Sequence, residues 1–287
     1  MNIQWYPGHM TKAKRAMKED IKLIDLVIEL VDARVPLSSR NPDIDDLAKG
    51  KARMVLLNKS DLADERVNAQ WAAWFEAKHI HAVKVDSRNK GTLKQVQSVV
   101  QEACKEKIER DRKRGIMNRP IRTMVVGIPN VGKSTFINSF AGKACAKTGN
   151  KPGVTKGNQW IRLNKTLELL DTPGILWPRF EDQSVGLKLA LIGSINDQIL
   201  NKDDLACQCI RILKERYPGM VTQRFGLETE DKEPAAILED VARQRSCLMK
   251  GGELDIARAA AMVLDDFRAG KLGRVTLERP EDYKDKE

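Results

Sequence analysis

The chain has 287 residues, of which 41% are hydrophobic and 31% charged, and a net charge of +10. That balance excludes general disorder, and no apolar run approaches the roughly 20 residues that span a bilayer. The basic excess favours an anionic partner, nucleic acid ahead of an anionic membrane surface.

The N-terminus, MNIQWYPGHM, has neither a signal-peptide apolar region nor the Arg/Ser-rich look of a transit peptide. Five cysteines (Cys104, Cys145, Cys207, Cys209, Cys247) form no C-x-x-C pair and read as reduced packing residues. A cytoplasmic location without membrane association is the expectation.

After the Pro7-Gly8 turn, helical spacing of Met10, Ala13, Met17, Ile21 and Ile24 predicts a helix from about Met10 to Leu23. Lys12, Arg15, Lys18 and Lys22 line its other side as a basic stripe. Apolar runs ending in polar turns predict buried parallel strands at 25–34 (DLVIELVDAR) and 53–61 (RMVLLNKSD). A helix over 65–78 carries Trp71, Trp74 and Phe75, and a strand follows at 81–87. One long helix is expected from Thr92 to about Arg114. Further strands read at 122–127, 159–163 and 166–171, with a helix over 133–141. This alternation predicts a mostly parallel α/β sheet with helices on both faces.

From about Gln183 no strand pattern remains. Helices are expected near 184–193, 203–216, 234–249 and 254–269, with GLETEDKEP (226–234) as an acidic loop. The expected division is a nucleotide-binding domain over 1–180 and a small all-helical domain over 181–287.

GIPNVGKS (127–134) fits G-x-x-x-x-G-K-[ST] between a predicted strand and a predicted helix, the setting that motif requires. Its backbone N–H groups, from Asn130 and Val131 through Gly132 to Thr135, would wrap phosphate at the helix N-terminus. Lys133 would reach the β- and γ-phosphates and Ser134 would ligate Mg²⁺. In DTPG (171–174), Asp171 sits at a strand end to hold Mg²⁺, and the Gly174 N–H can meet the γ-phosphate. Between the two, Thr155 of KPGVT can ligate Mg²⁺ and sense the triphosphate, although a plain Pro-Gly turn gives the same letters.

Asn58-Lys59-Ser60-Asp61 chooses the base. A carboxylate is acceptor-only and suits the N1–H and N2–H₂ donors of guanine. Asn58 and the Lys59 stem would steady the base and its loop, and VDSRNKG (85–91) would add backbone contacts around Asp86 and Ser87. GTP or GDP with Mg²⁺ is therefore the expected ligand.

The base motif precedes the phosphate motif, the reverse of an ordinary GTPase, and a cyclic rotation restores the usual order. The chain thus resembles the circularly permuted P-loop GTPases. With WYPGHM at the start, DARVPLSSRNP at 32–42 and GGELDIARAAAMVLDDFRAGKLGRVTLE near the end, it is similar to the bacterial ribosome biogenesis GTPase A family over nearly its whole length. The resemblance implies a GTP-hydrolysing assembly factor for late maturation of the large (50S) ribosomal subunit. Its partners would be the subunit precursor and its rRNA, not DNA or membrane, and it would act as a monomer.

Ile175 stands where a water-orienting Gln often follows D-x-x-G. Hydrolysis then needs other help, and two candidates present themselves. Asn130 resembles the residue that supports a potassium ion in potassium-assisted GTPases, though it also suits a loop-stabilising role. His9 is a candidate for positioning water, with capping or RNA contact as the plainer roles. A GTP-gated RNA-binding scaffold with incidental hydrolysis is the alternative function. Candidate RNA contacts are Lys12, Arg15 and Lys18, then Lys113 and Arg114, and finally Arg258, Arg268, Lys271 and Arg274.

Overall fold

Apolar runs closed by polar turn residues set the strands, and the helices between them cover both faces of one sheet. The computed structural model describes residues 9–117, 119–146, 158–176, 182–196 and 200–286, with only the backbone path given for 9–11, 13 and 284–286. The first part of the chain runs α1 (His9–Asp20), β1 (Leu26–Asp32), α2 (Asp43–Leu47), β2 (Ala52–Asn58), α3 (Glu65–Ala77), β3 (His81–Val85), α4 (Lys90–Ala103) and α5 (Lys105–Lys113). It continues through β4 (Ile121–Gly127), α6 (Lys133–Ala141), β5 (Gln159–Arg162) and β6 (Leu167–Asp171). Five helices follow: α7 (Gln183–Leu191), α8 (Lys202–Arg216), α9 (Met220–Phe225), α10 (Pro234–Gln244) and α11 (Ile256–Arg268).

The six strands lie in the order β3-β2-β1-β4-β6-β5, all parallel except the edge strand β5. Every residue of β1 is buried, as a strand covered on both faces requires. Counted from β4 as the first strand, the order becomes 2-3-1-4-5-6, so the sheet is that of an ordinary GTPase entered at a different point. From the β1/β4 pair the chain builds outward one way through β2 and β3 and the other way through β6 and the edge strand β5. This is a topological switch point, where ligands bind beyond the carboxyl ends of the strands.

Three sequence expectations need correction. The helix expected over 92–114 breaks at Cys104, which leaves helical geometry (φ −104°, ψ 11°); the bend buries Cys104 and sets Lys107 Nζ 3.5 Å from Asp25. The helix expected over 234–249 stops at Gln244, because Ser246 turns left-handed at φ 50° and Leu248 pairs with Leu254 across a Gly251-Gly252 turn. The acidic stretch is preceded by a short unexpected helix, α9.

One apolar core runs from the sheet into the helical region without a gap, taking in Ile28, Val125, Phe136, Leu189, Leu205, Val263 and Phe267. A second lies under α3, around Val31, Leu57, Trp71 and Phe75. The segment after α11 then returns to the sheet. Leu277 N–H donates to Arg34 O (2.7 Å), Val275 N–H to Leu62 O (3.0 Å), and Trp71 Nε1–H to Glu278 O (3.0 Å). Glu278 is fully buried, and its carboxylate accepts from Leu37 N, Ser38 N and Oγ, Lys188 Nζ and the Tyr283 hydroxyl.

A nucleotide-sized cavity at the carboxyl ends of the strands

The phosphate loop leaves β4 at Gly127, where a Cβ would press on Leu30 O and Val131 at 2.9 Å. Asn130 (φ 59°) and Gly132 (φ 93°) both turn left-handed, which curls the loop before α6 starts at Lys133. Among the described residues no side chain caps the N-terminus of α6. Its first amides therefore remain available to an anion, with the helix dipole in support.

At the strand-end side of that loop, Lys133 and Asp171 are buried and ion-paired to each other. Burial pushes the Lys133 ammonium down, and the Asp171 carboxylate works against that shift. Close by, Gly174 approaches the loop so nearly that a Cβ would lie 3.0 Å from Pro129 N. The buried Asp171 carboxylate and the hydroxyl of Ser134, next in chain to its partner Lys133, are oxygen donors of the kind Mg²⁺ takes up together with phosphate oxygens. The residues fit the ion, which would neutralise charge on the phosphates. Ile175 is buried, donates its N–H to Gly127 O (3.2 Å) and packs near Met17 and Ile44. Its side chain is core, with no polar group to offer water.

Asn58 ends β2 and holds two loops together. Its Nδ2 donates to Val131 O (2.7 Å), while its Oδ1 accepts from Ser87 N (3.2 Å) and Ser87 Oγ (2.7 Å). Lys59, at φ 57°, donates from Nζ to Asn130 O and to Asp32 Oδ2, both at 2.9 Å. Asp61 has one carboxylate oxygen on Arg88 and the other, Oδ1, buried without a hydrogen-bond partner among the described residues. Such an orphan acceptor is costly to leave unmade, and paired N–H donors such as those of guanine would satisfy it. Arg88 also reaches Asp86.

Asn58, Lys59, Asp61, Asp86, Ser87, Asn130, Gly132 and Thr135 line one cavity of about 630 Å³, a volume in the range of small-molecule sites. Ser60 joins the loop below them, its carbonyl accepting from Asn68 Nδ2 (3.3 Å). Val131 is buried under the loop.

Sequence reasoning missed the far wall, which comes from Arg34 and from Ile192, Gly193, Asp265 and Arg268 of the helical region. Asn130 Nδ2 donates to Gly193 O (2.7 Å). Arg268 donates to Leu191 O (3.0 Å) and Ala190 O (2.9 Å), closing the C-terminus of α7. Its guanidinium is therefore turned inward to this wall. Arg34 is fully buried, forks onto Asp32 with two 2.8 Å bonds, and reaches Arg268 O (3.3 Å). Burial alone would raise the Asp32 carboxyl; Arg34 and Lys59 overcome it and hold Asp32 far below the usual carboxylate range. A D-x-R directly after a buried strand was the available signal for this hub.

Of the other RNA candidates, Lys12, Arg15, Lys18, Lys113, Arg114, Arg258 and Arg274 are exposed, and exposed Lys271 lies 3.2 Å from Asp266. Thr155 lies outside the described residues, as does the side chain of His9, whose backbone opens α1. Among the described residues no helix is long and apolar enough to cross a membrane.

The permuted sheet order, the strand-to-helix phosphate loop and the carboxylate-lined cavity beside it define a circularly permuted P-loop GTPase. Residues 122–248 match the family model described as 50S ribosome-binding GTPase. Ribosome biogenesis GTPase A of Bacillus cereus is 48% identical over 99% of this chain and 96% of its own, and that of Thermotoga maritima 35% identical over 98% and 95%. The GDP-bound structure of T. maritima YlqF superposes with a TM-score of 0.67 at 28% identity, over 93% of this chain and 99% of that one. The chain belongs to the ribosome biogenesis GTPase A family and is a GTPase.

Proposed function

We propose that this GTPase is a switch for late assembly of the large (50S) ribosomal subunit, binding the precursor particle through rRNA in the cytoplasm, as a monomer. The observation that carries the reading is the direct bonding of the phosphate loop to the helical region, Asn130 to Gly193. A change of nucleotide state then reaches the helical region through one hydrogen bond rather than a long relay. The similarity to relatives named ribosome biogenesis GTPase A, together with the +10 charge, supports a ribosomal partner.

In this reading residues 1–180 are the GTPase domain and 181–287 the helical RNA-binding domain. Asp61 reads guanine, with Asn58, Lys59, Ser60, Asp86 and Ser87 shaping the base site. Asn130 to Thr135 cradle the phosphates, joined by Thr155 and Gly174, while Ser134, Thr155 and Asp171 hold Mg²⁺. Lys133 neutralises the β- and γ-phosphates after leaving Asp171. Potassium at Asn130 and water positioning by His9 assist hydrolysis, since Ile175 cannot. The basic side chains of α1, with Lys113, Arg114, Arg258, Lys271 and Arg274, contact rRNA phosphates, while Arg268 is engaged inside the fold on Ala190 O and Leu191 O.

Sedimentation of the chain with large-subunit precursor particles tests the switch. Co-sedimentation with a non-hydrolysable GTP analogue and release with GDP is the expected result; equal association in both states would overturn it. The buried Ile175 favours one second reading, a GTP-gated RNA scaffold. In that case precursor particles would bind with GTP analogue yet leave turnover unstimulated.

A further inference from the structure

Four residues of the helical region enter the wall of the nucleotide cavity, and three are already accounted for. Gly193 accepts from Asn130, Ile192 is buried in the core, and the Arg268 guanidinium closes the end of α7. The fourth, Asp265, lies exposed at the cavity rim, and among the described residues its carboxylate has no hydrogen-bond or ion-pair partner.

A carboxylate only accepts hydrogen bonds, and beside a polyanionic ligand it repels unless it faces donors. On a guanosine nucleotide the donors are few. The N1–H and N2–H₂ edge belongs to the orphan oxygen of Asp61, which lines the same cavity. The phosphates offer no donor and belong to Lys133 and the first turn of α6. The ribose 2′- and 3′-hydroxyls remain, between base and phosphates.

We propose that Asp265 is a specificity-determining residue that accepts a hydrogen bond from the ribose of the bound guanine nucleotide, so that the helical region closes the cavity and selects a ribonucleotide. The proposal rests on the guanine-nucleotide reading of the cavity. The position is fixed: Arg34 holds Arg268 O, one turn further along α11, and a Cβ on Gly270 would run into Leu62, the neighbour of Asp61. Asp265 therefore cannot drift from the base-reading loop without breaking the buried Arg34 contact.

Calorimetric titration of the full chain with GDP, 2′-deoxy-GDP and 3′-deoxy-GDP, all with Mg²⁺, tests this. Wild type should bind GDP about five- to tenfold more tightly than at least one deoxy form, the size expected for a hydrogen bond to a charged group at a partly wet site. Asp265→Ala should weaken GDP by about the same factor and erase the difference, while Asp265→Asn, which keeps an acceptor oxygen, should recover part of it. Equal binding of GDP and both deoxy forms by wild type would overturn the proposal, as would Asp265→Ala binding GDP as well as wild type or better. Failure of the guanine reading looks different: wild type would then bind no guanine nucleotide at all.

Discussion

The side-chain amide of Asn58 occupies the space that a Cβ on Gly132 would need. The base-side strand and the phosphate loop therefore interlock at a single glycine, held at φ 93°. Gly132→Ala would force a left-handed alanine against Asn58 and break its bond to Val131 O. A strained position of this kind costs about 1–3 kcal/mol, measurable by denaturant unfolding. Because the displaced groups form the cradle itself, GDP affinity should fall as well, by about a hundredfold, or roughly 2.7 kcal/mol.

Asp61 offers the sharper test of base choice. Its buried Oδ1 has no hydrogen-bond partner among the described residues, and guanine presents two donors on the edge it would face. Asp61→Asn replaces one acceptor oxygen by a donor, suiting xanthine, which carries a carbonyl where guanine has its amino group. GDP affinity should fall by about ten- to a hundredfold, as loss of a charge-assisted hydrogen bond predicts, and XDP affinity should rise. Competitive titration of the two nucleotides reads both changes.

Asp32 predicts an acid-side signature. Its folded-state carboxyl is held far below the unfolded value of about 3.9 by Arg34 and Lys59, against the opposing effect of burial. A depressed folded pKa contributes stability that is present above the unfolded value and lost as pH falls from there toward the folded one. Asp32→Asn should therefore flatten the pH dependence of unfolding free energy below about pH 4. At neutral pH it leaves Arg34 buried beside a neutral amide, and breaking such a pair costs about 3–5 kcal/mol. Denaturation series between acid and neutral pH check both parts.

What the sequence made legible is what depends on neighbours in the chain. GIPNVGKS and NKSD each carry their chemistry within a few residues, and the apolar runs placed all six strands. The far wall of the cavity was not legible, because Asn130 and Gly193, or Arg34 and Arg268, meet only through the packing of α11 on α8 and α7. Arg268 read as one more surface cation; only the fold turns it toward the carbonyls of Ala190 and Leu191. Glu278 was hidden for the same reason: nothing near it in sequence announces a buried carboxylate that needs Ser38, Lys188 and Tyr283 as donors.

Glu278 also shows how far the two parts of the chain depend on each other. Glu278→Ala would leave the Leu37 and Ser38 amides and the Lys188 ammonium without their buried acceptor. The expected loss is about 3–5 kcal/mol, the range for removing one partner of a buried charged network. Residues 1–180 expressed alone should fail to fold cooperatively, since Trp71 and the sheet-spanning core would lose their cover. Thermal unfolding of the point variant and of the truncated chain tests each expectation.

Asn130 brings the nucleotide site and the helical region into one experiment. Gly193 O is an acceptor, so the amide of Asn130 must present Nδ2 to it. Its Oδ1 is thereby fixed on the other side, and among the described residues it has no hydrogen-bond donor. An oxygen oriented in this way is a ready ligand for a monovalent cation that neutralises charge developing on the phosphates. GTP turnover should then be about tenfold faster in K⁺ than in Na⁺, a barrier difference of roughly 1.4 kcal/mol. Asn130→Ala should remove the difference between the two salts and lower turnover in K⁺. Equal wild-type rates in both salts would leave Asn130 as a mechanical link to Gly193 alone. In that case Asn130→Ala should disturb unfolding cooperativity and particle binding while leaving the cation response flat.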